Sequence, residues 1–515
     1  MEDIVMLEIG QDAAELRKRI AASTKEFVDM LNRPEQKAIG QFTTPAAVAD
    51  YMADRLLANW KPANASAPIH ILDPGAGTGV LGLALAEKLF SQYPAAQVTL
   101  TAYENDPMAA KVLQQNLATT QAWAKEHQLS FAFTVRMDDY ILDHAENPEA
   151  FIQHDTDTYD LVIANPPYKK LRKDSPEAKA MHVIVYGAPN LYGFFWAKTA
   201  IEIKKHGLSA FIIPRSWMSG AYFYRLRNFM LAEGSLMEIH SFKERTNIFG
   251  TTKVMQELVI VLFYKGGLDH IRFWQLPDIR QLGQGQAVDV PTYQAVTGAE
   301  KRVYNLATAA DLHALKWAQS LSSTFAHTCL RMKTGLTVAY RNKEFLVQEP
   351  QVNTAPIFFA DNLRHHTVKI GRKGPQFLKA ARSGLLQTNM DYIFIKRFST
   401  KEEPRRIQTA YYSAADYPVY REISTDNKLD FVIVTNLNLA ILRGAFLVLS
   451  STQFDRYYRL VNGNTQVNAT EVNDMKFPND QQLAALAEQF SVDDLKTLTQ
   501  HQIDAIVDEH FPGGL

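Results

Sequence analysis

Two short segments of this 515-residue chain carry groups that could do chemistry. The first is Ile71-Leu72-Asp73-Pro74-Gly75-Ala76-Gly77-Thr78-Gly79, an acid followed by closely spaced glycines. Lacking Cβ atoms, such glycines let the backbone approach a ligand. Gly77-Thr78-Gly79-Val80-Leu81-Gly82 also fits the G-x-G-x-x-G pattern of dinucleotide sites, and Glu104 beyond the next apolar run could hold a ribose in either case. Asp73 weighs between the two. Beside a pyrophosphate it would set like charges against each other, whereas S-adenosylmethionine presents a sulfonium and an ammonium. The segment therefore favours S-adenosylmethionine, with a dinucleotide site or a structural glycine turn as alternatives. The second segment is Asn165-Pro166-Pro167-Tyr168, which ends the apolar run Tyr159 to Ala164. The lone pair of an exocyclic amino nitrogen is delocalised into its ring. The Asn165 side-chain oxygen and the Pro166 carbonyl could accept its two N–H bonds and favour a pyramidal nitrogen. The prolines hold that carbonyl outward and remove competing donors. Tyr168 could stack on a planar base. A proline-rich turn with a packed tyrosine is the purely structural alternative.

The flanking pattern indicates what must position these groups. From Ile69, the runs IHILD, VLGLALAEKLF, VTLTAYE, MAAKVLQQNL, FTVRM and YDLVIANPPY alternate strand-like and helix-like periodicity. That order predicts an α/β doubly wound, Rossmann-like domain, and both segments fall at carboxyl ends of strands, where such sheets bind ligands. A helix is expected before them, from Ala13 to Asn32, on the spacing of Leu16, Ile20, Phe27 and Leu31. After them come a helix over Leu191 to Lys204, the strand LSAFIIP, a helix over Tyr222 to Ala232 and the strand ELVIVLFY, which carry the α/β region to about Lys265. Leu276 to Thr292 reads as a linker, so the domains are expected at 1–280 and 281–515. The second half has short aromatic runs without regular alternation, which predicts a mixed α+β domain. Near its end, Ser491 reads as an N-cap, and Leu495, Leu498, Ile503, Ile506 and Val507 form the core-facing stripe of one helix.

These motifs, in this order, resemble the γ class of N6-adenine DNA methyltransferases, in particular stand-alone type II restriction-modification methylases, over roughly residues 40–265. The resemblance implies an S-adenosylmethionine-dependent methyltransferase domain followed by a target-recognition domain. It implies that Thr44 and Pro45, in Gly40-Gln-Phe-Thr-Thr-Pro45, help enclose the methionine part of the cofactor. Asp73, Pro74, Gly75, Ala76, Gly77 and Gly79 would form the cofactor loop, Glu104 would bind the ribose hydroxyls, and Asp139, next to Asp138, would meet the cofactor adenine. Asn165, Pro166, Pro167 and Tyr168 match the catalytic tetrapeptide, and Phe249, in Asn247 to Lys253, would pack against the extruded base. C5-cytosine methylation needs a cysteine nucleophile in a Pro-Cys setting, and the single cysteine, Cys329, lies in His-Thr-Cys-Leu. N4-cytosine enzymes more often carry serine at the first tetrapeptide position. Protein-glutamine methyltransferases share the loop and the tetrapeptide but would leave the second half unexplained. A cofactor-binding protein without catalysis is the remaining alternative.

Hydrophobic residues are 46% and charged residues 21% of the chain, which excludes a disordered or fibrous protein. One cysteine excludes a disulfide framework and a cysteine-ligated zinc site, and no metal is expected. No apolar run approaches a membrane span, and the chain reads as cytoplasmic. The formal net charge is -1, with 54 Lys+Arg against 55 Asp+Glu, so any nucleic-acid surface must be local. From Arg364 to Arg406, six Arg and five Lys face one Asp and two Glu, a net +8. Arg364, Lys369, Arg372, Lys373, Lys396, Arg397, Arg405 and Arg406 are the expected phosphate contacts to double-stranded DNA. Ser424 to Lys428 and Asn462 to Asn468 offer hydroxyls and amides of the kind that read base edges. About 40 residues precede the first motif, too few for a fused nuclease, so a cognate restriction endonuclease is expected to act separately.

Overall fold

The computed structural model describes residues 2–30, 44–143, 158–185, 189–243, 257–278, 281–298, 300–371, 374–379, 384–399, 403–462 and 466–513. The chain divides into two compact units, Met1–Thr308 and Ala309–Leu515.

In the first unit, strands and helices alternate as the periodicity demands. β1 (Pro68–Asp73), α3 (Val80–Gln92), β2 (Gln97–Tyr103), α4 (Pro107–Glu126), β3 (Ser130–Arg136) and β4 (Tyr159–Ala164) follow α1 (Glu2–Met30) and α2 (Ala46–Asn59). Then come α5 (Leu191–Glu202), β5 (Ile203–Pro214), α6 (Tyr224–Glu233), β6 (Ser235–Phe242), β7 (Leu258–Tyr264), β8 (His270–Leu276) and β9 (Gln286–Pro291). Local chemistry fixes several boundaries. Gly79 takes φ +90° where the chain turns into α3, and Asp106 caps α4, accepting from the backbone N–H groups of Met108 and Ala109 with Pro107 behind it. Leu81, Leu85 and Leu89 of α3 pack into the core beside Ile69, Ile71 and Leu100 of the sheet. Burial of each such side chain contributes about 1.5–3 kcal/mol.

The nine-stranded sheet runs β3-β2-β1-β4-β5-β7-β6-β8-β9. Strands β3, β2, β1, β4 and β5 pair in parallel, and β7 enters antiparallel between β5 and β6. The chain leaves β1 towards β2 and β3 on one side and returns to β4 on the other. β1 and β4 therefore flank the switch point, where a doubly wound sheet opens a crevice beyond its strand ends. The mixed sheet extends past the expected limit near Lys265. β9 pairs antiparallel with β8 inside the segment read as a linker, so that reading is corrected and the division between units falls at Thr308. β9 escaped detection because it is an edge strand, with Val290 its one deeply buried residue. β6 is disguised differently, by Glu238 and His240. Both are buried, and Arg55 and Asn59 of α2 donate to Glu238 while the Tyr51 hydroxyl meets His240. Burial opposes the Glu238 charge, but hydrogen bonds from His240 and Arg55 overcome it and hold the carboxyl at about 2.

The second unit holds a six-stranded and a five-stranded sheet. The aromatic runs form the strands Thr354–Phe358, Tyr392–Lys396 and Leu429–Val434, and the last leads into the helix Leu439–Ser450, capped by Asn438. A Cβ at Gly444 of that helix would collide with the Leu483 backbone carbonyl, so glycine sets how closely the two segments approach. The C-terminal stripe lies on two helices rather than one, Val492–Thr497 and Gln500–His510. Ser491 caps the first as expected, and Thr499 with Gln502 forms a second capping box that restarts the chain. Among the described residues no helix is long and apolar enough to cross a membrane.

Candidate active site

Asp73 ends β1 with its side chain fully buried, and its Oδ2 accepts from the Gly82 N–H at 3.0 Å. A Cβ at Gly82 would stand 3.2 Å from that oxygen and 3.0 Å from Leu100, so glycine is what brings the first turn of α3 against the acid. Asp73 Oδ1 is buried and accepts no hydrogen bond of full geometry. Burial pushes the Asp73 carboxyl up to about 7; the Gly82 N–H opposes this, the Glu104 charge adds to it, and the Gly75 N–H offsets a little. A buried carboxylate short of partners suits a cationic ligand. Glu104, beyond the end of β2, accepts from the Gly77 and Asp106 N–H groups, each at 2.8 Å. It thereby ties the glycine turn to the second strand. Gly77 takes φ +57° with no atom within 4 Å of where a Cβ would lie, so its face is open.

Behind the turn stands α1. Thr24 Oγ1 lies 2.9 Å from Thr78 Oγ1, and Asn116 of α4 bonds both the Thr78 carbonyl and Ser23. These braces were not legible in the sequence. Their spacings of 54 and 93 residues fit no local motif.

Asn165 stands one residue beyond β4 and is half-buried. Its Nδ2 donates to Thr44 Oγ1 at 3.0 Å, and the Tyr168 hydroxyl reaches its Oδ1 at 2.8 Å and the Ile212 carbonyl at 2.9 Å. Burial drives the Tyr168 phenol well above its ordinary value, so it is a neutral donor. Thr44 and Pro45 lead into α2, where the Pro45 carbonyl accepts from Val48 and Ala49. Thr44 is thus placed on the tetrapeptide, a contact the motif reading did not foresee. The two segments abut. A Cβ at Gly75 would lie 3.9 Å from Pro166 Cα and 3.5 Å from Phe195 of α5. The Tyr168 ring meets Tyr192 edge-on at 6.3 Å, and Tyr192 stacks on Phe223 at 5.6 Å. The dense aromatic run Tyr192 to Trp196 was the available sign that α5 lines this crevice.

Asp139 is half-buried and its Oδ1 accepts from Ile141 and Leu142, whereas Asp138 is exposed. Of the adjacent pair, Asp139 is the one held in place. Gly40 to Thr43 and Phe249 lie outside the described residues.

The basic stretch of the second unit departs from expectation. Arg406 is 1% exposed, and its guanidinium donates to Asn462 Oδ1 and Ser399 Oγ at 2.7 and 3.1 Å. It cannot clamp a phosphate, and that assignment is corrected. Arg405 donates to the Ser451 carbonyl, Arg397 to the Asn427 carbonyl, and Lys396 pairs with Glu403 at 2.9 Å. Arg364 and Lys369 are exposed; Arg372 and Lys373 lie outside the described residues. The candidate base readers are also largely internal. Ser424, Thr425 and Asp426 are buried, as is Asn462, whose Nδ2 donates to Glu471.

The crevice and sheet define an α/β methyltransferase fold carrying a second unit. Comparison with known proteins narrows this. The model of the family described as Eco57I restriction-modification methylase matches residues 84–249. Over 493 residues, 93% of this chain and 94% of the relative, the sequence is 27% identical to Type II methyltransferase M.PstI of Providencia stuartii. It is 34% identical over 145 residues, 28% of this chain and 53% of the relative, to the tRNA1(Val) (adenine(37)-N6)-methyltransferase of Haemophilus influenzae. The Type IIL restriction-modification enzyme MmeI in complex with DNA shares the fold, with a TM-score of 0.58 at 13% identity over 96% of this chain and 79% of that one. The chain thus resembles the type II restriction-modification methyltransferases across nearly its whole length.

Proposed function

We propose that the chain is an S-adenosylmethionine-dependent methyltransferase that modifies the N6 amino group of adenine in double-stranded DNA. The first unit would hold the cofactor and the chemistry, the second would recognise the target, and a separate restriction endonuclease would share that site. The observation that carries this reading is the abutment of the glycine turn and the Asn165 tetrapeptide at the switch point between β1 and β4. M.PstI, a type II methyltransferase, supports the DNA substrate, and the tRNA methyltransferase, which acts on adenine N6, supports the acceptor.

Bound S-adenosylmethionine would supply an activated methyl group. The residues here supply acceptors and order. Thr44 holds the nitrogen end of the Asn165 amide, which would leave Oδ1 to accept from the amino group to be modified. The Tyr168 hydroxyl has one proton and two acceptors, Asn165 Oδ1 and the Ile212 carbonyl. When an amino hydrogen engages Oδ1, that proton can rest on Ile212, so the asparagine is released without stranding the phenol. Oδ1 and the Pro166 carbonyl then face the developing charge on nitrogen from fixed positions. An adenine must leave the duplex to reach them. Incubation of the protein with labelled cofactor and duplex DNA, followed by nucleoside analysis, tests the proposal. N6-methyladenine is expected; label in protein amides or in N4-methylcytosine would replace the reading.

A further inference from the structure

The segment directly after the tetrapeptide is Lys169-Lys170-Leu171-Arg172-Lys173, four cations in five residues before the first acid, Asp174. All four are exposed. The segment is nevertheless pinned. Lys170 forms an antiparallel bridge with Asn190, the Leu171 N–H donates to the Pro189 carbonyl at 2.9 Å, and the Leu191 N–H donates to the Lys169 carbonyl at 2.9 Å. It is therefore strapped to the first residues of α5, the helix that brings Tyr192 and Phe195 to the crevice.

Several surface cations of this unit meet acids: Arg17 meets Glu87, Lys88 meets Asp54, Lys204 meets Asp160 and Arg272 meets Asp289. Arg172 pairs with Asp174 at 2.7 Å, but Lys169, Lys170 and Lys173 have no ion-pair partner among the described residues. Their placement adds the decisive constraint. Consecutive Cα atoms are about 3.8 Å apart, so Lys169 cannot lie far from the mouth that Tyr168 bounds. A nucleotide swung out about its backbone leaves its own phosphates at that mouth.

We propose that Lys169, Lys170 and Lys173 form a phosphate-binding strap that grips the DNA backbone on either side of the extruded base, independently of sequence. This rests on the DNA methyltransferase reading above and names a substrate-binding element for that site. Each contact releases counterions from the duplex, so each should contribute about 0.9 to the slope of log K against log salt, or about eight-fold in affinity at 0.1 M salt.

The test uses the full chain and compares the parent with K169Q/K170Q/K173Q and with K61Q/K111Q/K125Q, which removes three exposed lysines from other elements. DNA affinity is measured over a salt series, with kcat/KM on duplex and calorimetric affinity for the cofactor. The strap variant should lose about 2–3 units of slope, with kcat/KM falling in step and cofactor affinity unchanged; the control should keep the parent slope. Replacement of the three lysines by arginine should restore both. A strap variant with the parent slope, or a control with the same loss, would overturn the strap while parental methylation of DNA left the enzyme reading intact. If the parent binds cofactor but never methylates DNA, the function itself fails and the strap with it.

Discussion

Asp73 and Arg406 are both charged and both buried, yet they belong to different kinds of structure. Arg406 is enclosed by partners: its guanidinium reaches Asn462 and Ser399, and its own N–H meets Asp455. Asp73 has one oxygen on Gly82 and another buried without a full hydrogen bond, beside a glycine turn open to a ligand. A satisfied buried charge is architecture, while an under-satisfied one at the carboxyl edge of a parallel sheet is a receptacle. It follows that substitutions in the crevice should alter chemistry and leave the fold intact, whereas substitutions in the Arg406 network should do the reverse.

The largest effect is expected at Asn165. Asn165→Ala removes the acceptor proposed for the amino nitrogen and should lower kcat by about 100-fold to 1000-fold, as loss of a preorganised transition-state group does. Thermal melting and cofactor affinity should stay near those of the parent. A variant that turns over normally would break the crevice side of the comparison.

Arg406→Ala should come next, with the opposite signature. Losing the guanidinium removes the bonds it donates to Asn462 Oδ1 and Ser399 Oγ inside the second unit, and unfolding free energy should fall by about 2–4 kcal/mol. Cofactor affinity, set within the first unit, should persist in the folded fraction. Chemical denaturation followed by a probe in each unit would check this. A fully stable Arg406→Ala protein with weakened DNA binding would restore Arg406 as a contact and invalidate the distinction.

The same contrast explains what the sequence disclosed. The glycine turn and the tetrapeptide are contiguous, and their chemistry depends on neighbours a few residues away, so their types and spacing were enough to place them at adjacent strand ends. Arg405 and Arg406, at the end of the basic stretch, read as surface because partners of theirs are distant: Asn462 lies 56 residues from Arg406, and Ser451 lies 46 from Arg405. Charge counting cannot see a partner outside its window. β6 failed to register for the same reason, since Glu238 becomes admissible in a buried strand through Arg55, 183 residues earlier. The strap at Lys169 to Lys173 is denser in charge, with four cations in five residues, and what distinguishes it is its place directly after Tyr168 together with the absence of ion pairs for its lysines among the described residues.

A third prediction concerns pH. Asp73 has its carboxyl raised to about 7, mainly by burial. Between the ordinary carboxylate range and that value the folded chain keeps a proton the unfolded chain has lost. Asp73 therefore costs the ligand-free protein stability as pH rises towards 7. A cationic ligand prefers the ionised acid, so cofactor affinity should rise with pH from 6 to 7 by at most about tenfold per unit and level off above. Asp73→Asn should abolish that dependence, weaken binding and raise the melting temperature without ligand. Titration calorimetry across pH checks the first two and a thermal scan the third. A parental profile flat in pH would place the cofactor's cation elsewhere.

The smallest effect sharpens the boundary between the two cases. Asp430 of the second unit is also fully buried, and burial raises its carboxyl to about 7 although the Arg397 charge opposes this. It differs from Asp73 in position. Asp430 lies on the strand Leu429–Val434, paired with Thr334 on one side and Ile395 on the other, inside the six-stranded sheet rather than at a crevice. If poor solvation alone marked a binding site, Asp430→Asn should disturb ligand binding as Asp73→Asn does. If an open strand end is also required, Asp430→Asn should leave cofactor and DNA affinity unchanged and only stabilise the second unit. The sign follows from the raised value: above pH 7 the parent carries a poorly solvated charge that the amide lacks, so the variant should gain stability at pH 8 and progressively less as pH falls towards the ordinary carboxylate range. Denaturation of parent and variant at pH 5 and pH 8 measures that gain. A variant equally stable at both pH values but impaired in DNA binding would turn Asp430 from a tolerated cost into a second receptacle.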